Sequence, residues 1–392
     1  MKNKIFKIWV DSDGDVNQGK YFFENTDLNK LNCSIERVYS NKTDNFAKNP
    51  KKIQDMLYLD KPDVIITYQE NEQSIEIPVL SLEISEQTPM GQNTFQRFPR
   101  AVASAEQGVP FVIIFPEKDW VQRTKKESSG WEMASPFVFN GLKKLSEFHN
   151  IPVFSVNWAC NEKKVSHKGY KSYDTKFPNM PDSNSEEMKK LFIFINLLIQ
   201  NTLGGYQTSK LLENREIKEL VEDLDAKRFS RGGDFLKKIP SASSGGIVNT
   251  KELKNYIEKS PDIKKFDTST FPDYIKARDE SLIFYSETNN FRADPYTGTM
   301  LVYDYSFCRY GKEKTGRHRN LIVHFPKISF SDIECKYSSY YERRCPFKPG
   351  SKHDNQYLAL HLRDGCKFTK IKEFRIYFYF ADIIILKDVI LF

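Results

Sequence analysis

The chain has 392 residues, enough for two or three domains with their own cores, and its 14% aromatic content, with thirty Phe and twenty Tyr, excludes an intrinsically disordered chain. A net charge of +7 suits a polyanionic partner without demanding one. The six cysteines (Cys33, Cys160, Cys308, Cys335, Cys345 and Cys366) form no C-x-x-C pair, which argues against structural zinc, and the longest apolar run, residues 191–199, contains Asn196 and is far shorter than a membrane span.

The opening MKNKIFKIWVDSDGD has no apolar stretch followed by a small-residue cleavage site, so no secretory signal is expected. The expectation is a cytoplasmic protein with reduced thiols and no membrane association. Residues 1–60 are polar and lysine-rich, with a helix predicted over 49–58. The acidic DSDGD at 11–15 has the start of a calcium loop but lacks Gly at the sixth position, has Asn17 at the seventh and carries Phe22 where a bidentate Glu belongs. It reads as a solvated turn.

From residue 61 the pattern becomes regular. A β-branched run over 63–68, a polar turn QENEQ and a second extended run over 75–85 predict a hairpin. A helix follows at 92–107, starting near Phe98 or kinked there because of Pro99, and closed by Gly108. A short strand at 111–115, an amphipathic helix at 136–149 and a strand at 152–158 complete an α/β layer with a mixed sheet flanked by helices. Residues 160–184 read as an irregular loop. A helix over 185–203 has Ser183 and Glu186 as a capping box and Gly204-Gly205 as its stop, and a charged helix over 208–228 comes next.

The Gly-, Ser- and Pro-rich segment RGGDFLKKIPSASSGG places a linker at 231–246, between a domain over 1–230 and another over 247–392. The second domain is expected to be β-rich: after a short helical piece, SLIFYSE, TMLVYDYSF, NLIVHFP, YLALHLR and EFRIYFYFADIIIL all look like strands. Within it ADPYTGT at 293–299 reads as a turn with Asp294 as a cap, and His318, His324, His353 and His361 lack ligand spacing.

Side-chain alternation in VLSLEISEQ puts Leu80, Leu82 and Ile84 on one face and Ser81, Glu83 and Ser85 on the other. An ionised Glu in the middle of a buried strand is costly without a partner. In a hairpin turning near 71–73, Asp63 falls opposite residues 81–83, so the two carboxylates converge at one end. Two such carboxylates bind Mg²⁺, a hard cation that keeps several of its waters, and a metal so held supports phosphodiester cleavage. The structural alternative is a solvent-facing or arginine-paired Glu and a turn-forming Asp.

KPDVII, a hairpin, a strand ending in LEIS, then helix and strand resembles the PD-(D/E)XK nuclease superfamily, especially type II restriction endonucleases. The resemblance covers about 100 of the 392 residues and rests on short motifs. It implies a Mg²⁺-dependent endonuclease acting on double-stranded DNA, with Asp63 and Glu83 as metal ligands. The family's water-orienting lysine would stand at position 85, where this chain has Ser85. Arg97 is the first choice for a replacement cation, with Arg100, Lys61, Gln87 and Gln92 behind it. Upstream acids that some relatives add to the metal, here Glu24 or Glu36, are read as surface residues.

The segment TPMGQNTFQRFPR, with Arg97 and Arg100, suits contact with a phosphate backbone. Two basic clusters in the second half are further candidates for DNA contact: GKEKTGRHRN, read as a hairpin tip with Lys312, Lys314, Arg317, His318 and Arg319, and YYERRCPFKPGSKH, with Arg343, Arg344, Lys348 and Lys352. The alternative is that both are solvated faces, as charge runs usually are. In this layout the first domain cuts and the second recognises sequence. Cutting both strands of a palindrome needs two sites, which a homodimer supplies, although the sequence marks no dimer interface. The competing expectations are a non-catalytic DNA-binding protein on a degenerate nuclease scaffold, favoured by Ser85, and a nuclease directed at RNA.

Overall fold

A computed structural model of the chain describes residues 4–40, 44–121, 130–158, 180–205, 208–229, 246–258, 269, 271–310, 316–332, 356–357 and 371–392. The chain divides into two compact units, Met1–Gly233 and Asp234–Phe392, each mixed α/β with its own mixed sheet. The predicted linker at 231–246 lies almost wholly outside the described residues, as do the greater part of the predicted 160–184 loop and most of YLALHLR.

The first unit runs β1 (Ile5–Val10), α1 (Val16–Asn25), β2 (Asn32–Arg37), α2 (Lys51–Leu59), β3 (Val64–Gln69), β4 (Ile77–Ile84), α3 (Phe98–Glu106), β5 (Phe111–Pro116), β6 (Lys118–Val121), β7 (Gly130–Met133), α4 (Pro136–His149), β8 (Val153–Trp158), α5 (Glu186–Leu203) and α6 (Arg215–Phe229). Six strands form one sheet in the order β2-β1-β3-β4-β5-β8, while β6 and β7 pair separately. Strand β3 runs antiparallel to both β1 and β4, and β4, β5 and β8 are parallel, with α3 and α4 as the crossovers a parallel pairing requires.

Every strand sorts its side chains between two layers. Phe6, Ile8, Val10, Val64, Ile66, Leu80, Leu82, Ile84, Val112, Ile114, Phe154 and Val156 pack into one core with residues of α1, α5 and α6. The opposite face carries Ser81, Glu83, Phe111 and Ile113 beneath α2, α3 and α4. Pro99 stands in the first turn of α3, where its missing N–H costs nothing, so the helix begins at Phe98 rather than bending there.

The reading of residues 1–60 as polar segments with one helix is corrected by β1, α1 and β2. The lysine-rich composition hides a period-two pattern, IFKIWV, whose Phe6, Ile8 and Val10 are fully or almost fully buried. Helix α1 has Gly19 in its interior because it lies close on β1: a Cβ there would stand 2.9 Å from Val10 Cγ1. The DSDGD segment forms a bend and a 3₁₀ turn, Asp13–Asp15, leading into α1. The Ser183–Glu186 box does not form: the N-cap position of α5 is Ser185, whose side chain makes no capping hydrogen bond.

The second unit runs β9 (Gly246–Asn249), α7 (Leu253–Glu258), α8 (Asp273–Lys276), β10 (Glu280–Tyr285), α9 (Asp294–Tyr303), β11 (Arg319–Phe325), β12 (Gln356–Tyr357), α10 (Lys372–Phe380), β13 (Ile383–Leu386) and β14 (Ile390–Leu391). Its sheet order is β12-β14-β13-β11-β10-β9, with β10, β11 and β13 parallel. The expectation of a β-rich domain is therefore corrected to α/β. TMLVYDYSF is the end of α9 and a π-turn over Asp304–Cys308, and EFRIYFYF is α10. Both helices are buried around most of their circumference: Met300, Leu301, Val302 and Tyr303 in α9, and Phe374 through Phe378 in α10. A helix buried on all sides has no polar stripe, so its sequence loses the 3.6-residue period and reads as a strand. ADPYTGT likewise opens α9, with Pro295 in the first turn, and Asp294 accepts from Lys372 Nζ at 2.8 Å.

Candidate functional site

Strand pairing brings the two acids together. Val64 stands opposite Leu82 in the β3–β4 ladder, so Asp63, one residue earlier, meets Glu83, one residue later, on the same face. A local hydrogen bond ties them: the Ile84 N–H donates to Asp63 Oδ2 at 2.9 Å. The Asp63 carbonyl in turn accepts from the Asp11 N–H at 3.0 Å, which fixes the end of β1 beside the pair.

Glu83 is fully buried. Its Oε1 accepts from Arg100 Nη1 and lies 3.4 Å from Arg97 Nε, whereas Oε2 has no hydrogen-bond partner among the described residues. The same Arg100 Nη1 reaches Asp63 Oδ1 at 3.3 Å, so one guanidinium bridges both carboxylates. Arg97 and Arg100 stand at the start of α3 three residues apart, hence on one helix face. The Arg100 side chain is 15% exposed and that of Arg97 is 32% exposed, so the pocket opens to solvent along Arg97.

Electrostatics at the pair are strained in a defined direction. Burial raises the Asp63 pKa above the ordinary carboxylate value; the Arg100 charge and the Ile84 N–H pull it down, the Asp15 carboxylate pushes it up again, and Arg97 opposes. A buried carboxylate without a counter-charge is strongly destabilising, which is why Arg100 stands where it does. The donor set also fits a magnesium ion: two hard carboxylates at an open strand end, one with a buried oxygen that lacks a polar neighbour. No group of three or more His, Cys, Asp or Glu that could hold a metal ion exists among the described residues, so such an ion would keep most of its waters.

The other expected site residues separate sharply. Ser85, placed by position in the catalytic set, closes a local turn: its Oγ donates to the Gln87 carbonyl at 2.9 Å and accepts from the Gln87 N–H at 3.3 Å. A hydroxyl bonded in this way does not replace a lysine. Lys61 is engaged with Asp11. Of the two arginines, Arg100 contacts both carboxylates and Arg97 only Glu83. Glu36 lies at the surface, 3.8 Å from Lys7 Nζ.

In the second unit, Lys312, Lys314, Arg343 and Arg344 lie outside the described residues, as do Lys348 and Lys352. Arg317 is not the exposed groove contact expected of it. Its Nη1 donates to Asp382 Oδ2 at 3.1 Å, and its Nη2 donates to Asp304 Oδ2 at 3.0 Å and to the Phe380 carbonyl at 2.9 Å. The side chain is only 6% exposed, so its charge is neutralised inside the unit. Arg319 is largely engaged as well, with Nε on Glu280 Oε2 at 2.7 Å and Nη1 on the Phe307 carbonyl at 2.7 Å. His324 is a strand residue of β11, buried, with Nδ1 2.7 Å from Tyr256 Oη.

Asp15 was missed as a neighbour of Asp63. The signal for it was the alternation in IFKIWV, which makes β1 a sheet strand and delivers the DSDGD turn to its end.

Comparison of the chain with protein-family models, with curated proteins and with solved structures finds no match in any of the three. Among the described residues no helix is long and apolar enough to cross a membrane.

Proposed function

We propose that the first unit is a magnesium-dependent endonuclease that hydrolyses DNA phosphodiester bonds, most simply in the manner of a type II restriction endonuclease. The observation that carries this reading is the convergence of Asp63 and Glu83 at one end of the β3–β4 ladder, with a Glu83 oxygen left without a polar partner. The order around the pair, an antiparallel β3–β4 hairpin followed by α3 and parallel β5, supports this reading, since hairpin, helix and strand are the elements on which the sequence resemblance rests.

Asp63 and Glu83 would hold the ion through Oδ1 and the Glu83 oxygens, since Asp63 Oδ2 already accepts the Ile84 N–H. The chemistry that Mg²⁺ supplies when bound is Lewis-acid polarisation of a phosphodiester and of water. The residues of the chain hold the carboxylates in register, exclude water from Glu83 and offer the partly exposed Arg97 to the phosphate backbone. The second unit is assigned sequence recognition, and a second copy of the chain would supply the second cut of a palindromic site.

One observation favours the competing reading of a non-catalytic DNA-binding protein: Arg100 bridges the pair and Ser85 offers no cation. Plasmid and phage DNA incubated with the protein in Mg²⁺ or in EDTA separates the two. Discrete fragments that require Mg²⁺ and vanish in Asp63→Ala and Glu83→Gln are the expected result. Shifted but uncut DNA in every divalent metal overturns the nuclease reading.

A further inference from the structure

We propose that Arg100 is an internal placeholder cation: it occupies the carboxylate pair until a divalent metal displaces it, and the freed guanidinium then pairs with the phosphate of the bound polyanion. This rests on the metal-site reading above. The oxygens that a metal must use are those that Arg100 holds, Asp63 Oδ1 at 3.3 Å and Glu83 Oε1. The remaining Asp63 oxygen is committed to the Ile84 N–H at 2.9 Å. Glu83 Oε2 alone is uncommitted, and a single buried oxygen is too few for an ion that demands near-octahedral coordination.

Charge counting shows why the exchange involves the substrate. Asp63, Glu83 and the neighbouring Asp15 against Arg97 and Arg100 leave one net negative charge as the site stands. A divalent ion added to that set leaves an excess of one positive charge at a site that is mostly buried, where charge is poorly screened. The excess is relieved when Arg100 leaves the pair and an anion arrives. A phosphodiester backbone is the anion of matching geometry, because a guanidinium binds phosphate oxygens in a bidentate manner. Arg100 is long enough to swing and lies on the same helix face as the more exposed Arg97, which points the way out of the pocket.

Two binding consequences follow from a competing internal cation. The apparent metal affinity is reduced by the fraction of molecules in which Arg100 holds the pair, so removing the arginine tightens metal binding. Metal and DNA also bind with positive coupling, each favouring the state in which Arg100 has left the carboxylates.

Calorimetric titration of the full chain with MgCl₂ and with MnCl₂, alone and with a short DNA duplex, tests this without any need for cleavage. Arg100→Met is expected to bind the metal roughly tenfold tighter than wild type when no DNA is present. Arg100→Lys, whose single ammonium bridges two carboxylates less well, should fall between them, and it serves as the folded comparison if Arg100→Met proves unstable without metal. Arg97→Gln, which removes only a 3.4 Å contact to Glu83, should change the affinity less than either. The duplex should tighten metal binding to wild type and do so less for Arg100→Met. Metal binding that is abolished by Asp63→Ala yet no tighter in Arg100→Met and Arg100→Lys overturns the placeholder and leaves the metal site standing. No metal binding by any form overturns the metal site itself, and the placeholder with it.

Discussion

Among the described residues each unit holds a buried cluster of two acids with arginines, and the two clusters differ in how much counter-charge they carry. In the second unit Asp382 has both oxygens bonded, Oδ1 to Arg278 Nη1 at 2.9 Å and Oδ2 to Arg317 Nη1 at 3.1 Å and to the Leu321 N–H at 2.8 Å. Burial opposes ionisation of Asp382, but Arg317 and Arg278 outweigh it and hold the carboxyl below the ordinary range. Asp304 beside it accepts from Arg309 Nε at 2.6 Å and from Arg317. This network joins the starts of three parallel strands to the π-turn after α9 and is mostly buried. In the first unit the Asp63–Glu83 pair shares one bridging arginine, keeps a carboxylate oxygen without a polar partner and opens along Arg97. Asp304 Oδ1, like Glu83 Oε2, has no hydrogen-bond partner among the described residues, so the two clusters differ in counter-charge rather than in saturation: three arginines serve two acids in the second unit and two serve two acids in the first.

The comparison breaks most visibly in activity. Asp63→Ala and Glu83→Gln are expected to lower Mg²⁺-dependent cleavage by more than about 100-fold, the scale of removing one electrostatic element of a phosphoryl-transfer site. Fragment yield against time on a supercoiled plasmid measures it, and cleavage at the wild-type rate in either variant would detach the pair from the chemistry. Arg317→Met should act in the other direction, on stability rather than on metal affinity. It leaves Asp304 and Asp382 buried with less counter-charge, at a cost of about 3–5 kcal/mol to the second unit. Urea unfolding followed by calorimetric metal titration checks both halves.

A smaller effect concerns His324, an uncharged partner inside the same second unit. Burial pushes its imidazole from 6.5 down to about 4. The unfolded chain takes up this proton near pH 6.5 and the folded one only near pH 4, so the stability associated with neutral His324 is complete above 6.5 and is lost as pH falls toward 4. The total is about 3 kcal/mol from the linkage relation. His324→Gln retains a group able to bond Tyr256 and should flatten that part of the pH–stability curve; an unchanged slope assigns it to other groups. The smallest effect is expected from Gly19→Ala in α1, where the added methyl meets Val10 and Ile35 at 2.9 Å and 3.2 Å. Overpacking of this kind costs about 1–3 kcal/mol, read as a lower unfolding midpoint without loss of metal binding.

Much of the first unit was legible because its elements are amphipathic or bounded by strong punctuation. The β3–β4 hairpin, the start of α3 at Pro99, α4 with Asn150 in a left-handed conformation at its end, and the stop of α5 at Gly204 all carry local signals. Strand β1 carried its signal too, in Phe6, Ile8 and Val10, beneath a misleading excess of lysine. The second unit was harder for a physical reason. Helix α9 has no polar face, and α10 is buried from Phe374 through Phe378 with only Lys372, Glu373 and Tyr379 partly exposed, so Val302, Tyr303, Ile376 and Tyr377 imitate a strand run.

The sequence by itself determined that Asp63 and Glu83 share a face and an end, because strand alternation and hairpin register are local and periodic. It also determined that no lysine stands at position 85. What tertiary structure alone decided is which cations meet which acids. Arg100 bridges the pair while Arg97 touches one member, Ser85 turns to Gln87, and Arg317 is enclosed rather than displayed. Charge pairing depends on where a helix face or a strand end lands in three dimensions, and the local pattern of a segment holds no record of that.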